Sequence, residues 1–228
     1  MKKILVLNGS PRPNGNTSAL IDAFVRGAEE AGNEVARIDL RSLDIRPCLG
    51  CCKGGKDPES PCVQKDGMLS VYPAYKASDV VVLASPLYYW SVSGMLKTAF
   101  DRLFAVAECD ANLRNPIKSS ILLMAAEGYG FEESEYWYDR LMERLGWTSL
   151  GKVLCGHCGQ RQAPRGLRAG KEQKRASVPT RARGQACIAG ERITSRAFHY
   201  AGGVQPPAST INSEKRDAYA SRFSFSCL

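Results

Sequence analysis

A continuous apolar run, Ile4-Leu-Val-Leu7, delivers the chain into Gly9-Ser-Pro-Arg-Pro-Asn-Gly-Asn-Thr-Ser18, and a helical pattern follows at once. A buried strand, a loop of small and hydroxyl residues and then a helix is the opening of a βαβ unit, and it constrains the chain more than any other feature. Backbone N–H groups in such a loop, beside the positive end of a helix macrodipole, can surround a phosphate without lysine or metal. The P-loop pattern GxxxxGK[ST] is not met, because Asn16 stands where the lysine belongs, and GxGxxG is absent. Both absences argue against an NTPase and against a Rossmann dehydrogenase. The alternative reading is an ordinary turn with Asn16, Thr17 or Ser18 as helix N-cap.

A second segment, Ser85-Pro-Leu-Tyr-Tyr-Trp-Ser-Val-Ser-Gly94, follows another apolar run over 80–84. Two loops at the carboxyl ends of parallel strands face one crevice, which is where open α/β sheets bind ligands. Aromatic and hydroxyl groups together suit a flat ring with polar edges. Strand-like runs at 3–8, 34–40, 80–84, 119–125 and 150–154 alternate with helical ones at 16–31, 67–77, 93–107 and 132–145. That alternation predicts an α/β fold, a doubly wound parallel five-stranded sheet. Leu96, Ala99, Phe100 and Leu103 recur at three- and four-residue steps and form an apolar stripe for packing on it.

The charge divides the chain in two. Residues 1–156 are nearly neutral, so the net charge of +8 resides in 157–228, which hold scattered Arg, Gly, Ser and Pro without sustained periodicity. The expected organisation is a folded domain over 1–156 and an atypical basic C-terminal tail over 157–228. A sheet of this kind needs a last helix over its fifth strand, and none is evident. The tail therefore reads as a disordered basic extension or as a frame-shifted replacement of that helix. Its arginines and lysines suit non-specific phosphate contacts, but aromatics are not interleaved with them, which argues against nucleic-acid binding. No run of eighteen apolar residues and no signal peptide is seen, so no membrane partner and a cytoplasmic location are expected. Nine cysteines then read as thiols, metal ligands or redox groups.

Taken in order and spacing, Gly9-Ser-Pro-Arg-x-x-Gly-Asn-Thr-Ser18, Pro47-Cys-Leu-Gly-Cys51, Lys65-Asp-Gly-Met68, Ser85-Pro-Leu-Tyr88, Met95-Leu-Lys97, Phe100-Asp-Arg102 and Leu145-Gly-Trp147 carry a family resemblance. Residues 1 to about 155 resemble the flavodoxin-like NAD(P)H-dependent FMN reductases, a family that includes iron-sulfur flavoproteins. Gly67 departs from its pattern, which usually has a second acidic residue there.

The resemblance implies FMN as cofactor and NAD(P)H as co-substrate. The FMN phosphate would be held by Ser10, Asn16, Thr17 and Ser18, with Arg12 at the rim. The ring would lie against Pro86, Leu87, Tyr88, Tyr89 and Trp90, with Ala126, Glu127 and Gly128 closing its other edge. Amides around Leu87 to Tyr89 would face the ring's N1 and O2. No catalytic acid or base is implied. Hydride would pass from NAD(P)H through flavin to a small acceptor such as a quinone, or to a redox protein. The alternative is a flavodoxin-type electron carrier without NAD(P)H turnover. A homodimer or homotetramer is expected.

Other readings stay open at this level. Tyr88, Tyr89 and Trp90 also suit a core or an oligomer interface; Lys97, Asp101 and Arg102 suit surface or interface pairs; Glu127 suits a solvated loop. For Cys48, Cys51, Cys52 and Cys62 the resemblance suggests ligands of a 4Fe-4S cluster. Against it, Cys51 and Cys52 are adjacent and diverge, and Gly54 stands where a third cysteine belongs, so a redox-active or structural thiol loop competes. Cys155-Gly-His-Cys158 spells the active-site tetrapeptide of protein disulfide isomerases. Leu154 replaces the preceding Trp and Gly159-Gln-Arg-Gln-Ala-Pro164 is a poor helix start, which argues against disulfide exchange. A zinc knuckle of Cys155, Cys158 and His157 or Cys187 lacks a second C-x-x-C.

Overall fold

The computed structural model describes residues 1–158. The basic tail inferred from the sequence therefore lies, from residue 159 onward, outside the described residues. Five strands, β1 (Lys3–Asn8), β2 (Glu34–Asp39), β3 (Val80–Pro86), β4 (Ser119–Ala125) and β5 (Thr148–Cys155), form one sheet in the order β2-β1-β3-β4-β5. Every pairing is parallel. This is the flavodoxin-like doubly wound sheet that the alternation predicts. The helices are α1 (Asn16–Glu30), α2 (Met68–Ala77), α3 (Gly94–Arg102), α4 (Phe104–Ala107) and α5 (Glu132–Leu145). The single helix expected over 93–107 is divided at Leu103, whose amide reaches back only three residues to Phe100 O at 3.0 Å.

Side chains alternate across the pleat, so each apolar strand serves two cores. Leu5, Leu7, Val81, Leu83, Leu122 and Met124 share one core with residues of α2, α3, α4 and α5. Ile4, Val6, Val80, Val82, Ile121 and Leu123 form the other, where Ile21, Phe24 and Ala28 of α1 cover the central strands. Among the described residues α1 is the one helix on that face, and Leu150 and Val153 of β5 are only partly buried there. Ser120 pairs with Ser149 but Ile121 with Gly151, so Leu150 is bulged out of the β4–β5 ladder. Gly151 absorbs the irregularity at φ +147°. Among the described residues no helix is long and apolar enough to cross a membrane.

The segment between β2 and α2 is fixed by a buried charge. Arg102, 1 % exposed, ends α3 and forks onto Asp66, Nη1 to Oδ2 at 2.8 Å and Nη2 to Oδ1 at 3.1 Å. Nη1 also donates to Arg46 O at 2.7 Å, and the amides of Arg46 and Met68 donate to the same carboxylate. The sequence reading of Arg102 as part of a surface or interface pair is therefore corrected. Lys97 and Asp101, by contrast, do form an exposed pair one helical turn apart. Burial raises the Asp66 pKa, but the Arg102 bond and the two amides outweigh it and hold the carboxyl below its ordinary range.

A buried pair broken on one side leaves an uncompensated charge, so Asp66→Asn should destabilise the domain by about 3–5 kcal/mol in urea unfolding. The pH dependence has a definite sign. A carboxyl lowered in the folded state contributes fully above its unfolded pKa, and that contribution is lost as pH falls through the lowered one. Wild-type stability should drop on acidification below the ordinary carboxylate range, and Asp66→Asn should flatten that limb.

Candidate functional site

The carboxyl ends of all five strands share one sheet edge, and the winding reverses between β1 and β3, the switch point where doubly wound sheets take ligands. The loop leaving β1 crosses that point. Its Gly9 amide donates to Ala84 O of β3 at 2.8 Å, and its Gly9 carbonyl accepts the Ser93 hydroxyl at 2.7 Å. The same Ser93 oxygen caps α3 by accepting from the Leu96 amide at 3.3 Å, while the Ser93 amide donates to Ser85 Oγ at 2.7 Å. One serine thus ties the loops after β1 and β3 together. A Cβ on Gly9 would lie 2.6 Å from Ser93 Oγ and 2.7 Å from Leu96 Cβ, so the approach requires glycine.

Within the first loop, Asn8 Oδ1 accepts from the Ser10 amide at 3.0 Å, and Arg12 O accepts the hydroxyls of Ser10 and Ser18 at 3.2 and 3.3 Å. These two hydroxyls are engaged in shaping the loop. The N-cap of α1 is Gly15, in extended conformation and without a side-chain cap bond, which corrects the alternative of Asn16, Thr17 or Ser18 as cap. The first-turn amides are left without intrahelical acceptors at the positive end of the helix. Thr17, in that first turn, is 2 % exposed. Arg12 lies exposed at the rim, as the sequence suggests.

The second loop is a tight aromatic turn. Tyr88 and Ser91 exchange backbone hydrogen bonds at 2.9 and 3.1 Å, and Tyr89 and Trp90 between them both take positive φ, 48° and 57°. Non-glycine residues in that region cost about 1–3 kcal/mol each and persist where the surroundings hold them. Here Ser134 Oγ donates to Trp90 O at 2.9 Å from α5. The turn presents its rings outward. Tyr88 and Trp90 are about half exposed and Tyr89 is 94 % exposed, so the core reading of these three aromatics is corrected. So is part of the expected amide cradle: Leu87 N donates to Ala125 O at 2.9 Å and Tyr88 N to Ser91 O, leaving the Tyr89 and Trp90 amides at the tip.

The third loop, after β4, holds Ala126, Glu127 and Gly128 beside the other two. Ala126 N donates to Cys155 O at 2.9 Å, and Gly130 at φ +110° brings its backbone close to the Trp90 indole, where an added Cβ would meet Cδ1 at 3.1 Å. Glu127 is exposed, in keeping with a solvated loop glutamate. Asn16 Nδ2 reaches Cys158 O at 3.3 Å, linking the first loop to the chain just beyond β5.

The cysteine loop lines a cavity that shares none of the crevice residues named above. Cys48, Cys51, Cys52 and Cys62 line a cavity of about 70 Å³ with Arg102 and Glu108. Among the described residues no three His, Cys, Asp or Glu side chains come together to hold a metal ion. The reason for Gly54 is visible. A Cβ there would lie 2.2 Å from Glu108 Oε2 and 2.8 Å from Pro61 O, so the loop docks where a third cysteine would collide.

A family model described as NADPH-dependent FMN reductase matches residues 2–138. An iron-sulfur flavoprotein of Archaeoglobus fulgidus is 33 % identical over 154 residues, 68 % of this chain and 68 % of its own length. Another, from Methanosarcina thermophila, is 27 % identical over 58 % of this chain and 68 % of its own. The chain thus spans about two thirds of the length of these relatives. Among solved structures, the NAD(P)H:quinone oxidoreductase of Methanothermobacter marburgensis superposes with a TM-score of 0.60 at 15 % identity, over 91 % of this chain and 99 % of that one. At that identity the likeness shows the fold.

The Ser93 junction generates a direct test of this geometry. Gly9→Ala forces a methyl against Ser93 and Leu96 and should cost about 1–3 kcal/mol in urea unfolding. Gly94→Ala, one residue from the same junction but with open space around its Cβ, should cost less.

Proposed function

The chain belongs to the NADPH-dependent FMN reductase family, and on that premise we propose that it binds FMN in the switch-point crevice and passes hydride from NAD(P)H to a small acceptor such as a quinone. The observation that carries this reading is the convergence of three loops, after β1, β3 and β4, on the uncapped start of α1. The residues present fit a flavin mononucleotide. The glycine approach at Gly9 keeps the loop close to β3, the first-turn amides and the Thr17 hydroxyl offer donors to a terminal phosphate, and Arg12 adds charge at the rim. Ser10 and Ser18 hold the loop in shape through Arg12 O. Asn16 joins that loop to the far side of the crevice.

Bound there, FMN would supply the redox chemistry between nicotinamide and acceptor. The chain's contribution is placement. Pro86, Leu87 and the Tyr88–Trp90 turn form one wall, and Ala126, Glu127 and Gly128 form the other. The tip amides of Tyr89 and Trp90 are the donors left to face an electron-rich ring edge. Proximity and alignment then account for rate without a protein acid or base. The exposed rings of Tyr88, Tyr89 and Trp90 also support assembly into a homodimer or homotetramer, in which a second copy would cover them.

FMN titration followed by flavin fluorescence should show saturable binding. Thr17→Val, which keeps the shape and removes the hydroxyl, should weaken it by about ten- to a hundredfold, the range for a hydrogen bond to a charged group. Steady-state oxidation of NADPH and NADH with added FMN and a quinone tests the activity. Binding without turnover of either nucleotide would favour the electron-carrier alternative, and no FMN binding would sink both.

A further inference from the structure

The end of β5 carries chemistry that flavin binding leaves unused. Cys155 closes the strand, Cys158 lies three residues on, and their Sγ atoms are 2.7 Å apart. That is close to the roughly 2.05 Å of a disulfide bond and needs little backbone movement to reach it. The turn between them is held from outside. Ala126 N donates to Cys155 O at 2.9 Å, Cys158 N donates back to Ala126 O at 3.0 Å, and His157 N donates to Gly128 O at 3.2 Å. Asn16 Nδ2 donates to Cys158 O at 3.3 Å. His157, at φ 54°, curls the chain back, and its ring stands edge-on to Tyr129 with centroids 4.3 Å apart. Gly156 permits this closeness, because a Cβ there would meet Gly128 O and the Tyr129 ring at 2.8 Å.

We propose that Cys155 and Cys158 form a redox-active dithiol–disulfide pair that exchanges with low-molecular-weight disulfides at the edge of the crevice. The lack of a following helix start, which argued against such a role in the sequence, is beside the point here. A strand end and the β4 loop bring the sulfurs together. Cys155 is partly exposed and Cys158 is buried, so their roles divide. The Cys155 thiolate attacks one sulfur of the small disulfide; a bond forms to Cys155 as the first small thiolate leaves. The Cys158 thiolate then attacks Cys155 Sγ, closing the intramolecular disulfide and expelling the second small thiolate. Two protein thiols are oxidised, one small disulfide is reduced to two thiols, and the protons given up by the cysteines end on those thiols. None of this requires flavin.

The test uses the full-length protein equilibrated in buffers of graded reduced-to-oxidised glutathione ratio, then alkylated and digested with trypsin. Cleavage after Lys152 and Arg161 releases a peptide with both cysteines and no other. As the ratio falls, that peptide should pass from doubly alkylated to an unalkylated form two hydrogens lighter than the dithiol. Cys158→Ser should retain glutathione on Cys155, and Cys155→Ser should take up about tenfold less, since access governs thiol reactivity. A peptide doubly alkylated at every ratio, or one carrying glutathione that never resolves, would overturn the proposal. The wild-type titration stands even where a serine variant does not fold, and its outcome is independent of FMN binding.

Discussion

The site depends on how closely β1 and β3 come together just beyond their last paired residues. The Gly9 amide continues the ladder onto Ala84, and the Gly9 carbonyl turns to accept the Ser93 hydroxyl. A serine at that position serves as hydrogen-bond donor to one loop, helix cap for α3 and anchor for another through Ser85. Because all three bonds are buried, losing any of them would leave an unpaired polar group, which is costlier than the bond is favourable. The phosphate loop is thereby held to the sheet rather than only to its own helix. That shared attachment turns separate loops into one crevice.

A second constraint is a buried ion pair. The Asp66–Arg102 pair couples the long cysteine segment to the end of α3 with two parallel hydrogen bonds, and backbone groups of Arg46 and Met68 complete the shell. The cysteines are consequently arranged around a small cavity by loop docking at Gly54 and Gly55 against Glu108. The other cysteine pair, at the end of β5, is stitched directly to the loop after β4. Six of the described cysteines thus occupy two settings, four beside a buried arginine and two at the crevice edge.

The architecture was legible because it rests on local and periodic signals. Apolar runs over 4–7, 80–84 and 119–125 are long enough to be buried on both faces, and helical stripes separate them, which specifies a parallel sheet without any long-range information. The division of the third helix at Leu103 was not legible, since one three-residue hydrogen bond leaves the apolar stripe intact. Arg102 looked like a surface charge beside Lys97 and Asp101 because its partner is thirty-six residues away. The outward Tyr88–Trp90 turn was equally hidden, for aromatic residues fit a core, an interface and a ring-binding wall alike, and only the turn geometry separates them.

The sequence by itself determined the order of strands and helices, the family, and the position of a glycine- and hydroxyl-rich loop at a helix start, because these follow from periodicity and from the stereochemistry of single residues. Tertiary structure decided what those residues touch. It spent the Ser10 and Ser18 hydroxyls on Arg12 O, buried Thr17 in the first turn of α1, closed the Leu87 and Tyr88 amides into backbone pairs, and brought Cys155 to Cys158. Such pairings depend on which strands lie side by side and on how tightly loops from distant parts of the chain dock, and neither is encoded within any one segment.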